Sequence, residues 1–152
     1  MSTTELPALY VDSVALVAAT PRLVRVNRDP SPGESGVPID ATLALELVDT
    51  GPDGVERSTA RVWIDGVLAF DGSAGPELAP AFAGPLASVT QTTDTLRVVL
   101  HPVVPRASLA TVHVRVLAQT VGGAASLDEV YSFVVEDRTA PRVVGAQALA
   151  QR

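Results

Sequence analysis

The sequence predicts an all-β fold in which two antiparallel sheets pack face to face. Short segments alternate apolar and polar side chains, which is the period of a strand with one buried face. Turn residues separate these segments, with 11 Gly and 12 Pro spread along 152 residues. Because only three Phe, two Tyr and one Trp are present, the core must consist mainly of Val, Leu and Ala, and β-branched Val favours sheet.

The beginning of the chain divides into an arm and a strand. The apolar residues of segment 1–20 follow no single period, which favours a strand or an irregular packed segment over a helix. These residues include Leu9, Val11, Val14 and Leu16. Pro21 opens the first clear strand, and the turn-rich residues 27–36 follow it. We therefore expect residues 1–20 to form an N-terminal arm.

The next two segments are predicted to lie in a sheet. Residues 37–40 suit a short edge segment, because Pro38 has no N–H and an edge position needs none. Residues 41–49 alternate well and predict a half-buried strand. The residues on its inward face are Leu43, Leu45 and Leu47.

Residues 59–70 are predicted to form a hairpin. Asp65-Gly66 at its centre suits a type I′ turn, in which both central residues have positive φ. Trp63 lies on the strand face opposite Val62 and Ile64. Since two-sheet sandwiches often bury an aromatic residue at such a strand, we expect Trp63 to pack in the core rather than to stack on a sugar.

Three further strands complete the predicted sandwich. They are residues 95–100, 111–117 and 130–135, each with apolar residues at every second position. Between the hairpin and these strands, residues 78–82 are expected to form one short helical turn. The total is about seven strands, and a closed barrel is the competing architecture.

The order of the segments from Pro21 to Pro141 resembles immunoglobulin-like modules of bacterial and phage proteins. The residues that carry the resemblance are Pro21-x-Leu-Val-x-Val-x-Arg28, Val37-Pro-Ile-Asp-Ala-Thr-Leu43, Ser58-Thr-Ala-Arg-Val-x-Ile-Asp-Gly66, Thr95-Leu-Arg-Val-Val-Leu-x-Pro102, Val112-x-Val-x-Val116 and Tyr131-Ser-Phe-Val-Val-x-Asp-x-Thr-Ala-Pro141. Such modules occur in large surface and virion proteins. The resemblance implies an immunoglobulin-like β-sandwich over residues 21–141 with extended arms at both ends.

In these families an Asp-x-Thr-Ala-Pro phrase often joins one module to the next. The resemblance therefore implies that residues 142–152 are a C-terminal extension or the start of a following module. Val143 and Val144 are the apolar residues in it that we expect to contact a neighbour.

Charge and composition exclude several classes of partner. The net charge is −6 and every basic residue is Arg, without a basic run, which argues against nucleic acid and anionic membranes. With no Cys, disulfides and thiolate chemistry are excluded. The apolar residues 6–19 are too short to span a bilayer, and residues 1–5 lack the positive charge of a signal peptide. We expect synthesis in the cytoplasm without a signal peptide and residence in a virion or extracellular particle.

No pattern in the sequence predicts catalysis. His101 and His113 are the only imidazoles, and no Gly-x-Ser-x-Gly elbow is present. We expect both histidines to be ordinary strand or surface residues, so the chain is predicted to be a non-enzyme without a cofactor.

Calcium is the one ion that the acidic turns suggest. Glu136 and Asp137, at the exit of the last strand, are the best candidates because hard cations prefer carboxylate oxygens from loops. The spacing Asp-x-Asp-x-Asp-Gly is absent. Ordinary turn chemistry is therefore the main expectation for these carboxylates.

Two functions remain open at this point. The first is a structural module of a phage virion or related particle (a tail, baseplate, fibre or decoration protein) that binds neighbours through sheet edges and terminal arms. Its partners would be protein subunits, including further copies of the chain in a homo-oligomer. The alternative is a carbohydrate- or surface-binding module of an adhesin or secreted enzyme, with Trp63, Phe70 and Tyr131 as its possible platform.

Overall fold

Two four-stranded antiparallel sheets make up the computed structural model, which describes residues 22–139. The strands are β1 (Leu23–Asp29), β2 (Leu43–Asp49), β3 (Val55–Ile64), β4 (Val67–Asp71), β5 (Ser88–Gln91), β6 (Thr95–Leu100), β7 (Thr111–Thr120) and β8 (Ser126–Val134). Their order is β1-β2-β6-β5 in one sheet and β4-β3-β7-β8 in the other. This is the strand order of an immunoglobulin-like sandwich with one extra strand beside β3. The predicted fold class is confirmed, and the closed barrel is not formed.

The core lies between the inner faces of the two sheets, where the alternating residues predicted from the sequence are buried. In β2 every second residue from Leu43 to Asp49 is buried, and in β7 the same holds from Val112 to Thr120. Cross-strand pairing keeps these faces in register, with Leu45 opposite Val98. The largest fully buried side chains include Phe70, Phe133, Leu43, Leu45, Leu47 and Leu96.

Two predictions about strands are wrong. β5 was not expected, because the sequence Ser88–Gln91 has no apolar alternation and becomes a strand only by pairing with β6. The predicted edge segment 37–40 is not a strand. Within it, Val37 forms a single parallel bridge to Val135 and is buried.

The turns lie at the two opposite ends of the sandwich, here called the lower end and the upper end. The lower end carries Arg22, where the described chain begins, and the turn 50–54 between β2 and β3. The upper end carries the β3–β4 turn and the loop 101–110 between β6 and β7. At the β3–β4 turn, Asp65 and Gly66 have φ of 49° and 80°, which confirms the predicted turn.

Helical structure in residues 22–139 is limited to two short 3-10 turns, Pro80–Phe82 and Val121–Gly123. The first of these matches the helical turn predicted near residues 78–82. No helix in this part of the chain is long and apolar enough to cross a bilayer.

Candidate interaction surfaces

Half of the outer edge of β8 is open. Residues 33–37 bond to Ser132 and Val134, so they cover the upper half of this edge. In the lower half, the outward backbone groups of Ser126, Asp128 and Val130 have no backbone partner among the described residues. The Val130 side chain is 69% exposed. Such an edge presents N–H and C=O groups that an additional strand can pair with.

A row of four side chains crosses the outer face of the β4-β3-β7-β8 sheet. Strand register places Leu68 beside Trp63, Trp63 beside Arg115, and Arg115 beside Val130. Trp63 is only partly buried and, with Val130, lines a shallow groove of about 370 Å³. The expectation that Trp63 packs in the core is therefore wrong, because its strand position turns it away from the buried residues Val62 and Ile64.

Arg115 covers the ring of Trp63. Its guanidinium carbon lies 5.2 Å from the ring centroid, within the range of a cation–π contact. Asp128 holds the guanidinium with two hydrogen bonds, Nε to Oδ1 at 3.1 Å and Nη2 to Oδ2 at 2.9 Å. The same contact lowers the pKa of Asp128 and raises that of Arg115. A sugar that stacks on this indole must displace Arg115.

A second depression, the upper-end cleft, lies between the two sheets and has a volume of about 380 Å³. It is lined by Ile64, Asp65, Val67, Ala81, Phe82, Pro102, Val104, Arg106, Ala107, Ala110 and Val112. Most of these side chains are apolar. Val67 and Val104 are 56% and 75% exposed, which is unusual for aliphatic residues beside a concave surface.

Arg106 supplies the cationic group of the upper-end cleft. Its Nη1 donates a hydrogen bond of 2.8 Å to the Ala41 carbonyl, and its guanidinium carbon lies 5.5 Å from the Phe133 ring centroid. Burial lowers the pKa of Arg106, which stays protonated in proteins. Asp65 and Asp40 act on it through space, but no carboxylate of the described residues lies within 4.0 Å. Among the described residues, its guanidinium hydrogen-bonds a backbone carbonyl and no carboxylate.

The structure does not gather the predicted calcium ligands into a site. Glu136 Oε2 accepts a hydrogen bond from the Ile39 N–H at 3.0 Å. Asp137 Oδ1 accepts one from the Thr139 N–H at 2.9 Å, and Thr139 is the main cause of the lowered pKa of Asp137. No group of three or more His, Cys, Asp or Glu in residues 22–139 is placed to hold a metal ion. The two carboxylates therefore order the exit of β8.

Two of the three predicted platform aromatics are unavailable. Phe70 is fully buried and Tyr131 is 7% exposed, so the prediction that they form a ligand platform is wrong. Phe70 faces inward because β4 carries an irregularity in its pairing with β3, which places Phe70 opposite Val62 and Leu68 opposite Trp63. Of the three, only Trp63 is accessible.

The two histidines have different surroundings in the structure. His101 Nδ1 accepts a hydrogen bond of 3.0 Å from the Leu86 N–H, so this nitrogen supports the loop before β5. His113 is exposed on β7 and lines the groove beside Trp63. Within residues 22–139, neither histidine forms hydrogen bonds with both a nucleophile and an orienting acid.

The interaction residues predicted in the arms lie outside the described residues. They are Leu9, Val11, Val14, Leu16, Val143 and Val144. By contrast, the upper-end cleft lies inside the described structure and was missed. Its residues come from three separated parts of the chain, and the segment around Arg106 has no periodic pattern that would mark it.

Comparisons with known proteins add only structural similarities. No protein-family model matches the chain, and no curated protein matches it. Dimeric latent PorU from Porphyromonas gingivalis has a similar structure, with 13% identity, a TM-score of 0.49 and coverage of 81% of this chain. The titin Ig tandem domains A164-A165 have 14% identity, a TM-score of 0.41 and coverage of 79% of this chain. The match spans 11% of the PorU chain and 51% of the titin chain.

Proposed function

We propose that this protein is a structural interaction module that binds neighbouring protein subunits, including further copies of itself, in a virion or related particle. The observation that carries the proposal is the exposed apolar rim of the upper-end cleft, where Val67 and Val104 face solvent beside Arg106, which has no carboxylate of residues 22–139 within 4.0 Å. Arg surrounded by apolar side chains is typical of the centres of protein interfaces. The open lower half of β8 supplies a second mode of contact, by strand addition.

Deleting residues 1–20 tests this function. We expect the full chain to form a defined oligomer and the shortened chain to be monomeric, because the apolar side chains of residues 1–20 are the ones that we propose to contact neighbours. Native mass spectrometry gives the stoichiometry, and circular dichroism shows whether the shortened chain retains its β-sheet. An oligomer with an unchanged number of subunits after the deletion would refute the proposal.

A carbohydrate- or surface-binding module is the second candidate, and it depends on Trp63 alone. The indole is accessible, but Arg115 lies over it and Asp128 holds Arg115 in place. If sugars bind here, Arg115→Ala should increase retention on a glycan array and Trp63→Ala should abolish it. Leu117→Ala, on the same face of β7, is the control. Equal retention of the wild type and Trp63→Ala would exclude this platform.

A further inference from the structure

The upper-end cleft has a combination of properties that restricts its occupant. Its walls are mostly apolar, and Asp65 is its one acidic lining residue. The guanidinium of Arg106 is its cationic group, and no carboxylate of residues 22–139, Asp65 included, lies at ion-pair distance from it. A half-buried guanidinium is stabilised by a carboxylate, which it can bind with two parallel hydrogen bonds. The best ligand is therefore an apolar segment that carries one carboxylate.

The chain contains one arm that matches this description. Residues 6–17 read Leu-Pro-Ala-Leu-Tyr-Val-Asp-Ser-Val-Ala-Leu-Val, so they are apolar apart from Ser13 and the carboxylate of Asp12. The other arm, residues 142–152, has two Arg and no Asp or Glu, so its charge does not complement Arg106. Charge thus distinguishes the two arms.

The positions of the chain entry and of the cleft favour binding between copies. Arg22 enters at the lower end, because Leu23 pairs with Asp49 beside the 50–54 turn. The cleft is at the upper end, beyond the last residues of β3 and β6. Ten residues separate Asp12 from Arg22, which is about 33 Å at full extension, and the ten-residue strand β7 has about the same length. The arm would need complete extension to reach its own cleft, whereas the upper end of a copy placed below is adjacent to it.

We infer that residues 6–17 of one copy bind in the upper-end cleft of a second copy, with Asp12 paired to Arg106. This inference rests on the proposed function and names the contact that carries it. The interface is heterologous, since an arm meets a cleft, so repeated binding gives closed rings or open filaments rather than a two-fold dimer.

Charge variants of the full chain test the contact. Asp12→Arg places two cations together, and Val104→Glu gives Arg106 a carboxylate of its own and repels Asp12. Each should weaken self-association about tenfold or more in sedimentation velocity, the range reached by close interfacial charge pairs. The controls are Glu5→Arg, which reverses the other acid of the arm, and Gln119→Glu, which adds a charge on the exposed outer face of β7. Both controls should associate as the wild type does.

Mixing the two variants gives the decisive result. The intact arm of the Val104→Glu chain should bind the intact cleft of the Asp12→Arg chain, so an equimolar mixture should associate more strongly than either variant alone. A mixture that stays monomeric, or variants that associate like the wild type, would overturn the assignment. Thermal unfolding checks that both variants fold, which the exposure of Val104 favours.

The charge variants and the deletion of residues 1–20 can give different results. Failure of the cleft assignment can therefore be distinguished from failure of the proposed function. If deleting residues 1–20 dissolves the oligomer while both point variants preserve it, the cleft assignment is wrong and the interaction module stands. If the deletion also leaves the number of subunits unchanged, the cleft assignment and the proposed function are both wrong.

Discussion

Several carboxylates in this protein accept hydrogen bonds from backbone N–H groups. The buried Asp49 accepts hydrogen bonds from Gly51 at 2.8 Å and Gly54 at 2.6 Å, which fixes the turn between β2 and β3. Asp65 accepts one from the His113 N–H at 2.8 Å and links the β3–β4 turn to β7. Acidic residues that suggested a cation in the sequence therefore serve as local turn acceptors.

Asp71 gives a pH-dependent test of this principle. Hydrogen bonds from the Ser73 hydroxyl and N–H lower its pKa, and Arg61 adds a smaller contribution. Because the folded state has the lower pKa, this stabilisation is present above the unfolded value and is lost as the pH falls through the folded value. We expect Asp71→Asn to cost up to about 1 kcal/mol at pH 7 and progressively less below pH 4, measured by urea unfolding. Asp53→Asn, in an exposed turn, is the control for the loss of a carboxylate.

Among the strands, β3 carries a long irregularity in its pairing. Its pairing with β7 shifts between Glu56 and Arg61, so the residues between them bulge from the ladder. The bulge brings the Arg57 carbonyl against Gly72, and the Gly72 N–H donates a hydrogen bond of 2.9 Å to Ala60. The end of β4 can pack here because Gly72 has no side chain.

Substituting Gly72 tests this close approach. A Cβ atom at this position would lie 1.8 Å from the Arg57 backbone oxygen, so Gly72→Ala must displace one of the two segments. We expect a loss of about 1–3 kcal/mol in the free energy of unfolding, the usual cost of overpacking. Gly75→Ala is the matched control, since no heavy atom lies within 4 Å of its Cβ position. Equal losses for the two variants would contradict the explanation.

At the scale of the whole molecule, the two ends of the sandwich differ in chemistry. The upper end has exposed Val67 and Val104 around Arg106, whereas the described chain enters at the lower end. Edge strands alone would allow lateral pairing of sheets, but a difference between the ends gives an assembly a direction. In the assembly that we propose, this difference would give the stacked modules a single direction.

Local sequence patterns alone predict several strands of this fold, their buried faces and the β3–β4 turn. The alternation in β2 and β7 predicted which residues are buried, and Asp65-Gly66 predicted the hairpin turn, because strand period and turn conformation depend on adjacent residues. The resemblance to immunoglobulin-like modules gave the two-sheet sandwich as an expectation. The exposure of Trp63 also followed from its strand face, although the preference for aromatic burial led to the opposite prediction.

Other features depend on pairing between segments that are far apart in the chain, and local sequence patterns do not predict them. β5 exists because Ser88–Gln91 pairs with β6, and Phe70 is buried because of an irregularity between β3 and β4. The upper-end cleft forms where the β3–β4 turn, Phe82 and the loop 101–110 meet. No local sequence pattern predicts such contacts between distant segments, because they depend on how the two sheets pack and on which loops lie at the same end of the sandwich. Arg106 became a candidate binding residue only when that packing placed it among apolar side chains, with no carboxylate of residues 22–139 within 4.0 Å.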